Sequence, residues 1–215
     1  MLAKRYMKAV RGLLDRIGSE QTANIEKAGE MIAECWASGG AVFITEMGHG
    51  TAQELTNRAG GFMGLKHLKP DAKDDVKAGD VVLVGSVSGR NTAPIELAIQ
   101  CREIGARVIV LTALEYTAQV TSAHPSGKKL ADVGDLVIGL CAPYGDASLE
   151  VEGLPVKALP VSGVAFICIL WMICGEAIEK MLARGLRPHV YMSANRPEGP
   201  EFNEKELAEC AKTGY

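Results

Sequence analysis

The stretch Ser86-Val87-Ser88-Gly89-Arg90-Asn91-Thr92 sets three hydroxyls, one amide side chain and a glycine directly ahead of a segment with helical spacing. Hydroxyls and unpaired N–H groups donate to phosphate oxygens, and the positive end of a helix dipole favours the charge they would hold. Gly89 lets the backbone come close to a ligand. The same residues also fit a plain helix cap, with Asn91 or Thr92 satisfying the first orphan amides. Composition leaves both readings open.

Three other side chains could move protons. Glu54 stands three residues into the helix expected after the loop Glu46-Met47-Gly48-His49-Gly50, where a carboxylate can reach a pocket or can simply favour a helix N-terminus. His49 sits in that loop, and His124 sits in the turn-rich run Ser122-Ala123-His124-Pro125-Ser126-Gly127. An imidazole titrates near neutrality and can shuttle protons, or it can cap a turn. His67 and His189 lack such context and read as structural or surface residues. Moving a proton from the carbon beside a carbonyl to its neighbour needs one such group within hydrogen-bond reach.

These residues need a frame, and the hydrophobic pattern supplies one. Leu2, Tyr6, Val10, Leu13 and Ile17 recur at helical intervals, and the pattern resumes from Ile25 to Trp36 before stopping at Gly39-Gly40. Ala41 to Thr45 reads as a buried strand, and Thr51 to Ala59 as a helix. Phe62 to Leu68 reads as a short strand or extended link, Val81 to Val84 as a strand, Thr92 to Ile104 as a helix and Val108 to Leu111 as a strand. Asp135 to Leu140 is a further strand, and Ser162 to Arg184 a long apolar helix with Ser162 as N-cap. His189 to Asn195 is expected as a last short strand and Asn203 to Lys212 as a terminal helix. Strand–loop–helix units of this kind predict an α/β fold, a doubly wound and mostly parallel sheet covered by helices on both faces. One domain over 1–215 is expected: N-terminal helices 2–38, sheet core 41–160, long helix 162–184 and tail 189–215. Ligands of such sheets sit beyond the carboxyl ends of the strands, which is where the serine loop falls.

Bulk properties narrow the class. The 215 residues suit one core, and a net charge of −3 offers no general attraction to nucleic acid or to an anionic membrane. The six cysteines show no CxxC spacing, and several lie in apolar segments, which suits a reducing, cytoplasmic compartment. Val164 to Cys174 is uncharged, but spanning a bilayer takes about 20 such residues. A helix buried on all sides, in the core or between subunits, is expected instead, and with it a homodimer or homotetramer.

The run SVSGRNTAPIELA resembles the second phosphate loop of SIS (sugar isomerase) domains. RAGG, SAHPSGKKLADVGDLVI, GDASLEVEG and MSAN, in that order, resemble bacterial SIS proteins that carry the phosphoheptose isomerase label. The resemblance spans roughly residues 24–203. It implies a five-stranded parallel sheet in a Rossmann-like three-layer sandwich, and a phosphorylated sugar or related small anion as ligand. It further implies an aldose–ketose isomerase or, alternatively, a non-catalytic sugar-phosphate sensor. By that analogy Ser86, Ser88, Asn91 and Thr92 hold the phosphate, Gly89 and Arg90 shape the loop, and Thr112 lines the same pocket. Glu54, His49 and His124 are its candidate proton-transfer groups. Some phosphoheptose isomerases bind a divalent ion, but the spacing of His49, Glu54 and His124 does not indicate one, and neither metal nor cofactor is expected.

The first loop departs from the family's Gly-Ser-Gly-like turn. The Gly48-His49 pair fits the family's Gly-His, which assigns Gly48, Gly50 and Thr51 to ligand binding, but Glu46 and Met47 replace small residues. A carboxylate beside a phosphate is costly. Either Glu46 points away, or the substrate differs from a common sugar phosphate.

Overall fold

A computed structural model describes residues 1–48, 50–69 and 75–215. Helices α1 (Leu2–Glu20) and α2 (Thr22–Ala37) lead into β1 (Val42–Thr45), α3 (Thr51–Leu55), β2 (Leu65–Leu68) and β3 (Val81–Gly85). Then follow α4 (Thr92–Ile104), β4 (Arg107–Thr112), α5 (Leu114–Ala118) and β5 (Leu136–Gly139). A hairpin of β6 (Ala147–Leu149) and β7 (Ala158–Pro160) precedes α6 (Ser162–Ala183), and α7 (Gly199–Thr213) follows.

The main sheet has five parallel strands in the order β2-β1-β3-β4-β5. The inner strands β1 and β3 are buried along their whole length because both faces are covered, whereas the edge strand β2 exposes Lys66 and His67. Val81 and Leu83 point to the side packed by α1, α2 and α6, while Val82 and Val84 point to the side packed by α4. The order reverses at β1, whose neighbours are β2 and β3. That reversal opens a crevice at the carboxyl ends of β1 and β3.

Three local expectations need correction. Helix α3 stops at Leu55: Thr56 is extended, its hydroxyl bonding back to the Ala52 carbonyl (2.8 Å), and Asn57 takes a positive φ of 56°. The strand expected over 189–195 shrinks to one bridge between Val190 and Phe62. The Asn203 side chain takes both the N–H and the carbonyl of Met192 (2.8 and 2.9 Å), which halts the pairing. Ser162 is not the cap of α6, since its hydroxyl donates to Asp146 instead (2.6 Å). Within one chain, α6 is buried along one face. Phe166, Ile169, Leu170 and Ile173 are buried, whereas Val164, Ile167, Cys168, Trp171 and Met172 form a half-buried stripe on another face. By length and composition α6 could cross a membrane, but its buried face belongs to the core shared with α1, α2 and the sheet.

Candidate functional site

A cavity of about 820 Å³ occupies the crevice at the strand reversal. Its wall includes Thr45, Glu46 and Met47 after β1, Ser86 to Ser88 after β3, and Asn91 at the start of α4. Ala93, Glu96, Leu97 and Gln100, one face of α4, continue it. Tyr116 and Asp146 complete the rim.

The serine loop is built so that its acceptors face away and are satisfied. Its ladder with β4 continues through Ser86 N–H to the Leu111 carbonyl (3.1 Å). The Ser86 carbonyl accepts from the Thr112 hydroxyl (2.7 Å), and that of Val87 from the Ala113 N–H (3.0 Å). The Ser88 carbonyl accepts from the Thr117 hydroxyl (3.1 Å), Gly89 from the Leu130 N–H (2.8 Å), and Arg90 from the Ala123 N–H (2.9 Å). Gly89 makes this possible with φ 62°, where a Cβ would sit 2.8 Å from Thr112 Oγ1 and 2.9 Å from Thr117 Oγ1. Among the described residues, the N–H groups of Val87 to Asn91 and the side chains of Ser86, Ser88 and Asn91 have no hydrogen-bond partner. Every carbonyl from Ser86 to Arg90 is taken and the donors are left over. That is the polarity of an anion cradle.

Helix α4 has no side-chain cap, so Asn91 is not engaged as the plain capping reading required. The Thr92 hydroxyl is occupied elsewhere, on the Ala123 carbonyl (3.0 Å). Thr112, expected at the pocket wall, is fully buried beneath the loop and acts on it through the Ser86 carbonyl. Arg90 is exposed and lies outside the cavity lining.

The first loop is built the opposite way. Glu46 Oε1 accepts the N–H groups of Gly48 (3.0 Å), Gly50 (3.1 Å) and Thr51 (3.0 Å) and the Thr51 hydroxyl (2.9 Å). Gly48, Gly50 and Thr51 thus present their donors to the chain's own carboxylate rather than to a ligand. Burial pushes the Glu46 carboxyl up, but the bonds from the Thr51 hydroxyl and the three N–H groups outweigh it and hold it below the usual carboxylate value. Asp146 does the same for α6: its Oδ1 accepts the N–H groups of Val161 (3.1 Å) and Ser162 (2.8 Å). Both carboxylates line the cavity.

The expected proton-transfer groups separate. Glu54 pairs with Arg58 and lines a second groove of about 560 Å³ between the first loop and α6, with Gly48, Thr51, Val164 and Ile167. His49 lies outside the described residues. The His124 Nδ1 accepts the Ser126 N–H (3.2 Å), which leaves the ring proton on Nε2 for Glu96 Oε2 (2.9 Å). Glu96 lines the cavity, so His124 reaches it through Glu96. Among the described residues no group of three His, Cys, Asp or Glu is set to hold a metal, and Glu54 and His124 belong to different openings. All six cysteines are free, and burial pushes Cys35 and Cys101 up to about 11 and Cys174 up to about 12, away from nucleophilic chemistry. Glu96, Gln100 and Tyr116 went unmarked in the sequence. The spacing of Glu96 and Gln100 along α4, about one and two turns past Thr92, is the signal that could have found them.

The family model of the SIS domain matches residues 5–72 and 69–113. The UPF0309 protein lin2794 of Listeria innocua is 34% identical over 230 residues, covering 94% of this chain and 93% of its own. Among solved structures, phosphoheptose isomerase GmhA from Neisseria gonorrhoeae aligns with a TM-score of 0.53 at 17% identity, over 81% of this chain and 96% of that one. The Vibrio vulnificus NanR protein complexed with ManNAc-6P gives 0.53 at 11%, over 99% and 68%. At these identities the structural likenesses carry the fold, which is the five-stranded parallel sandwich described above. The family match and the near full-length relative carry more: the chain belongs to the SIS-domain family and, within it, to the UPF0309 proteins.

Proposed function

We propose that this protein binds a phosphorylated sugar in the cavity at the strand reversal and interconverts its aldose and ketose forms. The observation that carries the binding half is the serine loop, with its carbonyls engaged and its donors unengaged beside about 820 Å³ of space. The NanR neighbour, of the same fold, was solved with ManNAc-6P, which bears a phosphate on a sugar. For the chemistry, Glu96 is the cavity carboxylate carried by α4, beside Glu46 and Asp146, and His124 behind it orients it and can share its proton. Glu96 would take the proton from the carbon beside the carbonyl while the carbonyl oxygen gains a proton, giving an enediol. It would return it to the former carbonyl carbon as the neighbouring hydroxyl loses its proton and becomes the new carbonyl. Glu54, engaged with Arg58 at the second groove, would meet a sugar only where a second subunit closes that groove against the half-buried stripe of α6. A homodimer or homotetramer in the cytoplasm fits that stripe and the free thiols, and light scattering tests the assembly.

The test is binding and proton exchange together. Pentose 5-phosphates and hexose 6-phosphates are titrated calorimetrically, then incubated in D2O and followed by NMR at the carbon beside the carbonyl. Ser88→Ala should weaken binding about tenfold or more, the value of a hydrogen bond to a charged group being about 1.5–3 kcal/mol. Glu96→Gln should abolish exchange and leave binding. A second reading, a binding protein without turnover, is favoured by the displacement of Glu54 from the cavity, and binding without exchange would select it. Absence of binding by every phosphosugar would overturn both.

A further inference from the structure

We infer that the cavity accepts a ligand carrying a single anionic group, seated at the serine loop, with hydrogen-bond donors at its other end, and that Glu46 is the residue that refuses a second anion there. This rests on the reading that a phosphosugar fills the cavity, and it specifies which kind.

Three helices start at the loops that follow β1, β3 and β7, and their leading N–H groups are treated differently. The turn ahead of α3 is filled by Glu46 and the start of α6 by Asp146, while α4 is left without a side-chain cap. Among the described residues the serine loop offers a run of unengaged N–H groups from Val87 to Asn91, and this is where the anion is seated. Glu46 follows β1 directly, and β1 is hydrogen-bonded to β3, so its backbone runs about one strand spacing, ~4.8 Å, from the chain that enters the serine loop, and its side chain lines the same cavity. All four of its donors go to Oε1, and Oε2 has no hydrogen-bond partner among the described residues. An ionised carboxylate only accepts. Oε2 can serve sugar hydroxyls or an ammonium group, and it repels a carboxylate or a second phosphate. The bonds on Oε1 keep Glu46 ionised through the neutral range.

Matched ligands test this on the full-length protein. Calorimetry compares glucose 6-phosphate with 6-phosphogluconate, and fructose 6-phosphate with fructose 1,6-bisphosphate, in wild type and in Glu46→Gln, which keeps the shape of the side chain. Each ligand with one anionic group should bind about tenfold or more tightly than its partner with two in wild type, a difference corresponding to one decade in Kd. Glu46→Gln should narrow each ratio severalfold. Equal affinities within the pairs in wild type would overturn the inference and leave the phosphosugar reading standing, and this arm needs no variant. Ratios unchanged in a folded Glu46→Gln would remove Glu46 as their cause and overturn it too. No binding of any of the four would sink the phosphosugar reading and this one with it.

Discussion

Replacing Gly89 by alanine probes the one backbone position on which the serine loop turns. Two separate costs can be worked out. A residue with a Cβ at φ 62° incurs the left-handed penalty, about 1–2 kcal/mol. The new methyl would also lie 2.8 and 2.9 Å from the hydroxyls of Thr112 and Thr117, which are buried and 3.0 Å apart, each donating to a loop carbonyl. At least one must rotate away, and the carbonyl of Ser86 or Ser88 then loses its donor, at about 1–3 kcal/mol for a group left unsatisfied. The sum is about 2–5 kcal/mol, which at a urea m-value of about 2 kcal/mol/M lowers the midpoint by roughly 1–2.5 M. Gly127 separates the two contributions: it has φ 74° with nothing within 4 Å of its would-be Cβ, so Gly127→Ala should cost the backbone share alone. Urea unfolding of both variants, with binding of the tightest phosphosugar measured alongside, decides the matter. If Gly89→Ala is no more destabilising than Gly127→Ala, or binds that sugar as wild type does, the account of the loop is wrong.

Glu46 should also appear in the pH dependence of stability. Its folded pKa is depressed, so its contribution is fully present above the ordinary carboxylate value and is lost as pH falls through the folded one; the urea-midpoint gap between wild type and Glu46→Gln should therefore close on acidification below about pH 4. Asp146→Ala removes the group that caps α6 from outside and should cost about 1–2 kcal/mol, seen as a fall in Tm of roughly 2–8 °C. Glu206 holds α7 through Arg187 (3.0 Å) and the buried His189 (2.6 Å), and Glu206→Gln should raise hydrogen exchange in α7 while sparing the main sheet.

The inner strands of the parallel sheet were legible because they are short, β-branched runs punctuated by Gly and loops, and because both of their faces are covered; the edge strand β2, with Lys66 and His67 exposed, gave a weaker signal. Val81 to Val84 and Thr92 to Ile104 are the clearest cases, the helix matching to the residue. Where structure depends on distant partners, pattern fails. The hairpin β6–β7 has three residues per strand and α5 has five, too few for either period to register. The end of α3 turns on Asn57 adopting a positive φ, with Tyr191 donating to its side chain (2.9 Å) from far along the chain. The half-open stripe of α6 could not be told from its buried face, since Ile167 and Ile169 are the same residue type on different sides of one helix.

The candidate site was legible to a different degree, because composition reports how many donors a loop owns but not where they go. Both the run Glu46–Thr51 and the run Ser86–Thr92 carry glycine, hydroxyls and a following helix, and on paper either could cradle a phosphate. The sequence left Glu46 two options, to point away or to mark an unusual substrate, and the fold shows a third arrangement. The carboxylate turns into its own loop and satisfies the Gly48, Gly50 and Thr51 donors internally. The serine loop differs for a local reason: no carboxylate stands within it, and its own carbonyls are drawn off by Thr112, Thr117, Ala113, Ala123 and Leu130 on the neighbouring segments. What distinguishes a binding loop from a structural one is therefore the supply of competing acceptors around it. That supply is set by segments as far along the chain as Leu130 is from Gly89, which no reading of either loop alone could weigh.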